Sequence, residues 1–429
     1  MPTWISHWLR DARLLISSQF LVVLTTTALA IVLARSLGPS DWGLFSALLG
    51  LSLALSMFVD VGLGTWLLRG LSRLHEEEPE PDRRYREASR RLVAAILTNV
   101  VFGTLLFVGA AIVATSTGTK LSTTITLLGL IAYTVLLAVT SCLESFLRAE
   151  RRLKRIVVGT LLERFLLLGL VGAALLHDLA IWAIALAYVA SGIARLSFIG
   201  FTVFVDQHVP VVRPQFRAVR RFIREGIPFA FNTVALVAIP KLDTFVIAGV
   251  SATAAGYYAL GDRVIGPAIF IPVVASTALY PYLAREGPGS TAAWRISGGM
   301  WLLGAGAAVA GAVLAPVIVP AVFGPMYVDA VPVVQLMLFV LPFVYASNTL
   351  LVHAYSSGRE RQLLAVTLTV SIVGTGAIIG GVLWHGALGA AAGFVLRQIL
   401  FTLALGGIAL LPRRSTHRAV YEPEQPISP

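Results

Sequence analysis

The residues with most chemical potential in this chain are ions set within apolar runs. Lys241, Asp243, Asp262 and Arg263 lie close together in sequence, and Glu163–Arg164, Arg195 and Arg397 interrupt three further runs. An ion at the centre of a hydrocarbon layer costs roughly 2.5–3.5 kcal/mol on insertion scales, so each needs a partner or a wet cavity. Lysine and arginine placed there can replace the water around a phosphate, arginine through a planar fork suited to its oxygens. The neighbouring carboxylates can tune those cations or carry a proton. Folding the chain into a hairpin about residue 252 sets 241 opposite 263 and 243 opposite 261. Asp243–Arg263 and Lys241–Asp262 pairs are therefore expected. They are either bridges that fasten the hairpin or the lining of a cavity.

The elements that must hold these ions are membrane helices. Hydrophobic residues make up 57% of the chain and charged ones 13%, and the mean hydropathy is +0.83, outside the soluble globular class. The apolar runs have the length an α-helix needs to cross about 30 Å of hydrocarbon. About twelve spans are predicted, over 12–34, 42–68, 91–115, 121–147, 156–176, 179–204, 222–248, 254–284, 294–320, 330–356, 361–384 and 387–411. They are too continuously apolar to be barrel strands.

Most lysines and arginines fall in every second gap between spans. Arg83, Arg84, Arg86 and Arg90 fill one such gap, Arg151, Arg152 and Lys154 the next, and Arg217, Arg220 and Arg221 the one after. The alternate gaps offer only Arg35 and Lys120. Both termini are accordingly expected in the cytoplasm. The net charge of +11 then reflects topology, and no nucleic-acid partner is expected, because the cations form no contiguous patch. Cys142 is the only cysteine, so no intrachain disulfide can form. No G-x-x-x-x-G-K-[ST] run is present, and no histidine pair has metal-ligand spacing, so no cofactor or metal is expected. The opening apolar run is too long for a signal peptide and is expected to be a retained first helix.

The chain divides into an N-terminal six-helix bundle over 1–205, a cytoplasmic linker over 206–221, a C-terminal six-helix bundle over 222–412 and a polar tail over 413–429. His75–Arg91, with its Glu76-Glu77-Glu78 run, is expected to be a loop. The halves read as repeats. Trp42-Gly43-Leu44-Phe45 corresponds to Ala255-Gly256-Tyr257-Tyr258, Leu176-His177-Asp178 to Trp384-His385-Gly386, and Arg195 to Arg397. Six spans per repeat is even, which relates the bundles by a pseudo-twofold axis along the membrane normal, with a cavity between them. Arg195 and Arg397 are then expected to face each other across that axis. The predicted spans of the second half carry Pro228, Pro240, Pro267, Pro272, Pro281, Pro316, Pro332 and Pro342 and those of the first carry none, so the second bundle either bends more in use or is merely kinked.

Leu33-Ala34-Arg35-Ser36-Leu37-Gly38-Pro39-Ser40-Asp41-Trp42-Gly43-Leu44-Phe45, leading into Val59-Asp60-Val61-Gly62-Leu63-Gly64, resembles the opening of the polysaccharide-exporting flippases of the multidrug/oligosaccharidyl-lipid/polysaccharide exporter superfamily. Gly256-Tyr257-Tyr258-Ala259-Leu260-Gly261-Asp262-Arg263 and Leu279-Tyr280-Pro281 resemble the matching elements of their second half. The lipid II flippases of that superfamily typically carry fourteen spans and fit less well. The resemblance implies transport of a lipid-linked oligosaccharide, such as an O-antigen or exopolysaccharide unit on a polyprenyl pyrophosphate, across the cytoplasmic membrane of a bacterium. It implies alternating access, a lateral opening for the lipid tail, and possible association with a polysaccharide polymerase and export machinery.

A diphosphate asks for cations, and Arg164, Arg195, Lys241, Arg263 and Arg397 are the expected binding residues. Asp60, Arg69, Asp243 and Asp262 are expected in coupling or gating, although Arg69 can equally snorkel to the headgroups. Glu144–Arg148 is expected to be a local surface pair and Arg35 a helix-end cation. Asn99, Asn232 and Asn348 are expected to bond neighbouring helices or sugar hydroxyls, and His353 to pack as a buried polar group. A cation-coupled multidrug exporter is the alternative, which the excess of candidate cations disfavours. An outer-face glycosyltransferase or polymerase is disfavoured by outer gaps only a few residues long.

Overall fold

A computed structural model describes residues 3–60, 62–77, 80–213, 238–286, 291–356 and 359–410. The tail over 413–429, Pro228, Asn232, Arg217, Arg220, Arg221 and the first part of the span expected over 222–248 lie outside the described residues. The described residues are helical and contain no strand. Nine of their helical stretches are long and apolar enough to cross a membrane.

Helix α1 (Thr3–Asp60) carries the first two expected spans in one element broken at Gly38. Gly38 has φ +73°, the left-handed region open to glycine, and Pro39 after it cannot donate back to the preceding turn. Helix α2 (Leu63–Glu77) follows a second break at Gly62, so the span expected over 42–68 is interrupted before its end. Helix α3 (Pro81–Ser116) begins ten residues before its expected start, and the loop expected over 75–91 is mostly helix. The cause is local. Pro81 sits at the first helical position, Asp82 occupies the first turn, and Glu87–Arg91 pairs at 3.2 Å one turn apart, so the helix continues beyond its apolar stretch.

Helices α4 (Leu121–Ala149), α5 (Leu153–Leu176) and α6 (Ile181–Phe201) follow their expected spans closely, and a π-helical turn over Thr202–Asp206 ends α6. The second half is more broken. A single turn, Ile239–Lys241, precedes α7 (Asp243–Val250). Helix α8 (Ala252–Glu286) and α9 (Thr291–Phe323) are long. The span expected over 330–356 is two helices, α10 (Val331–Leu338) and α11 (Leu341–Ser356). Pro342 has no N–H for the Leu338 carbonyl, so the helix stops there and restarts. Helix α12 (Glu360–Leu410) is broken at His385–Gly386. Its two arms run antiparallel, since a Cβ on Gly381 would lie 2.1 Å from the Gly389 carbonyl oxygen and one on Gly393 2.7 Å from Ala377.

The halves meet at the end carrying the Gly38 break. A Cβ on Gly43 would sit 1.9 Å from the Ala252 carbonyl oxygen, and one on Gly256 2.0 Å from that of Pro39. The contact is reciprocal, because the same spacing separates Pro39 from Ala252 and Gly43 from Gly256. Small residues of this kind let helix backbones touch in a membrane. The Tyr327 hydroxyl donates to the Ala34 carbonyl at 3.0 Å at the same end. Both arms of α1 run away from it along the second half, Phe20 reaching Phe270 and Gly50 reaching the Lys241 carbonyl.

The core follows this geometry. One apolar cluster joins α1 (Leu29, Phe45), α4 to α6 (Leu130, Val171, Ile184) and α8 to α12 (Leu260, Val319, Val334, Tyr345, Ile378). Away from the Gly38 end it gives way to two separate clusters. One, around Leu67, Leu92 and Leu143, belongs to the first half, and the other, around Leu350, Leu363 and Leu405, to the second. Among the described residues the two halves, here called lobes, thus share one core near Gly38 and have a cluster each away from it.

Candidate functional site

Between the lobes lies a cavity of about 90 Å³. Lys241, Asp243, Asp262, Arg263 and Arg397 line it, together with Ser46 and Gly50 of α1, Tyr258 of α8 and Phe394 of α12. Five of the nine residues expected at a binding or coupling site therefore converge. Local breaks present them. Pro240 lacks an N–H, and the backbone steps out of register at Leu242, so Lys241 is exposed while Asp243, two residues on, is buried. Gly50 admits the Lys241 carbonyl, since a Cβ there would come within 2.5 Å of it.

Asp243 does not pair with Arg263. It receives Arg397 from α12 through both oxygens, at 3.0 Å from Nη1 to Oδ1 and 2.7 Å from Nη2 to Oδ2. The Tyr258 hydroxyl donates to Oδ2 at 3.3 Å. The Arg397 guanidinium also lies 5.3 Å from the Phe394 ring centroid, so its charge is bounded by a carboxylate and an aromatic face. The Lys241–Asp262 pair is also absent. Lys241, Asp262 and Arg263 form no ion pair among the described residues, and Lys241 and Asp262 are exposed. Three cations and two carboxylates on the walls leave the cavity net positive. Because Asp243 is engaged by Arg397, the uncommitted charge on the walls is that of Lys241, Arg263 and Asp262.

Arg195 is held elsewhere. Its guanidinium donates to Glu144 Oε1 at 2.7 and 3.1 Å and to Glu163 Oε2 at 2.5 Å. Glu163, fully buried, also accepts the Tyr133 hydroxyl at 2.7 Å. Arg195 and Arg397 thus do not face each other across an axis; each is fastened by carboxylates of its own half. Glu144 is not a surface residue. It is 3% exposed, and its partner in α6 lies closer than Arg148, at 3.5 Å. Arg164 lies off the cavity. Its Nε is buried with no hydrogen-bond partner among the described residues, and its charge reaches Tyr133 and Tyr188.

Asp60 ends α1 beside the Gly62 break, accepts the Ser141 hydroxyl at 3.5 Å and does not line the cavity. Arg69 is exposed on α2. Asn99 bonds the neighbouring helix α4, through the Ala138 carbonyl at 3.0 Å and Cys142 Sγ at 3.3 Å. Asn348 donates to the Val344 carbonyl within α11, and His353 is buried. No cluster of His, Cys, Asp or Glu suited to a metal occurs among the described residues.

Tyr133, Tyr258 and Phe394 escape sequence reasoning, because aromatic residues in apolar helices carry no signal of their own. Glu144 and Glu163 do carry one. Both lie in apolar runs flanking Arg195, at comparable depth in consecutive spans.

The chain is similar in fold to transporters of known structure. A multidrug resistance MATE family transporter of the MOP superfamily, in an inward-facing conformation, aligns with a TM-score of 0.67 at 16% identity over 90% of this chain and 93% of that one. The lipid II flippase MurJ in an inward closed conformation aligns at 0.63 and 14% identity over 90% and 88%. An outward-facing conformation of a MATE family transporter aligns at 0.57 and 15% identity over 92% and 93%. No curated protein matches the sequence. These likenesses fit a membrane transporter fold. The family model described as polysaccharide biosynthesis protein matches residues 8–286, well over half of the chain, and the protein belongs to that family.

Proposed function

We propose that the protein is a flippase that moves a polyprenyl-pyrophosphate-linked oligosaccharide across the cytoplasmic membrane by alternating access. The supporting observation is the cavity between the lobes, where Lys241 and Arg263 stand without an ion-pair partner among the described residues and Arg397 is held at the wall by Asp243. A diphosphate carries about two negative charges and must exchange its water for fixed donors to cross. Cationic walls supply those donors. A cavity meant for cationic drugs would be dominated by acids, which favours the flippase over a multidrug exporter. The MurJ structure belongs to a lipid II flippase, and the family is named for polysaccharide biosynthesis, which agrees with a lipid-linked sugar as cargo.

In this reading the two broken helices α1 and α12 each cross twice. The nine stretches then make eleven crossings and α7 belongs to the twelfth, in bundles over 1–205 and 222–412 with both termini cytoplasmic. The joined end at Gly38 is the outer face, and the lobes part towards the cytoplasm, where the lipid-linked substrate is made. Lys241, Arg263 and Arg397 bind the diphosphate, while Asp243 and Asp262 couple its movement to an ion. Arg195 with Glu144 and Glu163 fixes the first bundle, Arg164 stands off the cavity, and Asp60 and Arg69 border the inner entrance.

The test is a deletion strain. Mass spectrometry of its lipids is expected to show accumulated polyprenyl-diphosphate oligosaccharide, with surface polysaccharide lost and drug sensitivity unchanged. Altered drug sensitivity without lipid-linked intermediates would reject the proposal.

A further inference from the structure

A second hollow lies behind the wall of the charged cavity. It is a groove of about 720 Å³, and its lining is almost wholly apolar. Leu44, Leu48, Leu51 and Leu55 of α1 form one side, Leu105 and Val113 of α3 another, and Phe245 and Val246 of α7 a third. It opens outward between α3 and α7, where Leu105 and Val113 are more than half exposed and Phe245 is 40% exposed. Thr117, Thr119, Thr123 and Thr124 rim its end beside the α3–α4 turn. Thr117 and Thr119 donate their hydroxyls to the Val113 and Ala114 carbonyls at the end of α3.

The two hollows share a partition. Ser46, Leu49, Gly50 and Leu53 of α1 face the charged cavity, and the leucines at 44, 48, 51 and 55 face the groove. The spacing is that of two sides of one helix. Asp243 and Thr244 face the cavity, while Phe245, Val246, Ala248 and Gly249 face the groove. One pair of helical segments therefore has fixed cations on one side and a hydrocarbon-lined slot on the other. That arrangement matches a molecule with an anionic head and a long apolar tail, and a phospholipid acyl chain alone has no use for the charged side.

We propose that this groove seats the polyprenyl chain of the substrate beside the α1–α7 partition, at the outer end of its passage. The proposal rests on the flippase reading and adds the place of the tail. The segments meet where Gly50 touches the Lys241 carbonyl, so in this conformation head and tail compartments are separate. The tail reaches the groove when the lobes part at the Gly38 end.

Two groove residues allow a clean test. A Cβ on Gly109 or on Gly249 would meet nothing within 4 Å. A leucine at either position starts into open space beside the groove, and it favours helix over glycine. The probe is a polyprenyl diphosphate bearing a diazirine in its chain, photolysed on the full-length protein in phosphatidylethanolamine–phosphatidylglycerol nanodiscs. The expected result is label on peptides covering 105–113 and 245–249, displaced by unlabelled polyprenyl diphosphate. The Gly109→Leu/Gly249→Leu variant, monodisperse and helical as the parent, is expected to lose that label. Label displaced equally by excess phospholipid would mark an ordinary lipid-facing slot and overturn the proposal. Saturable label confined to the charged cavity would overturn the groove and leave the flippase reading standing. No saturable label anywhere would end both.

Discussion

At the scale of single residues, the chemistry divides the intramembrane ions into those that hold the fold and those free to meet a ligand. Asp243 and Arg397 are nearly fully buried and bonded through both oxygens. Removing one partner of such a pair leaves a charge without its counterion, at a cost of about 3–5 kcal/mol. Asp243→Asn is therefore expected to lower the melting temperature in detergent sharply, and Asp243→Asn/Arg397→Gln to recover much of the loss; equal or additive losses would deny the coupling. Arg195→Gln is expected to destabilise more than Arg263→Gln, because it removes the ion-pair partner of buried Glu163 and the nearer of Glu144's two, whereas Arg263 has no ion-pair partner among the described residues. Thermal unfolding of the two variants side by side reads that difference. The ions themselves are legible in the sequence, because each interrupts an apolar run. Their pairing is not. Asp243 and Arg397 are far apart in the chain, and only the packing of α12 against α7 makes them neighbours.

At the scale of elements, glycine decides where helices break and where they touch. The correspondence of Trp42-Gly43 with Ala255-Gly256 is visible as a repeat, and the structure gives it a mechanical meaning. Each glycine admits a carbonyl from the other half. Gly43→Ala places a methyl group on the Ala252 oxygen, and neither backbone can yield without parting the lobes. Nitroxide labels on the exposed residues Ser40 and Thr253 are expected to show a longer mean distance in Gly43→Ala than in the parent, with the same shift in Gly256→Ala. An unchanged distance distribution would show that this contact does not hold the lobes together. Helix positions are read well from apolar length, as α4 to α6 show. The breaks at Gly62 and Phe339–Val340 are not, because hydropathy continues across each of them and does not register a missing N–H or a left-handed residue. The early start of α3 is missed for the opposite reason, since its ionic first turns look like a loop to a hydropathy reading.

At the scale of the whole molecule, the described residues share one core near Gly38 and have a separate cluster in each half beyond it. On the proposed reading the lobes part at that far end, and an anion entering there meets Lys241 and Arg263 before the closed Gly38 end. Exchange of the closed end for the open one would expose the same cations to the other side, which is the requirement of alternating access. The central claim is that these cations replace the water around the diphosphate. The most direct measurement is complementation of the deletion strain with Lys241→Gln/Arg263→Gln at the parent's membrane level and melting temperature. The account predicts lost surface polysaccharide and accumulated polyprenyl-diphosphate oligosaccharide. Full surface polysaccharide with no accumulated intermediate would contradict it.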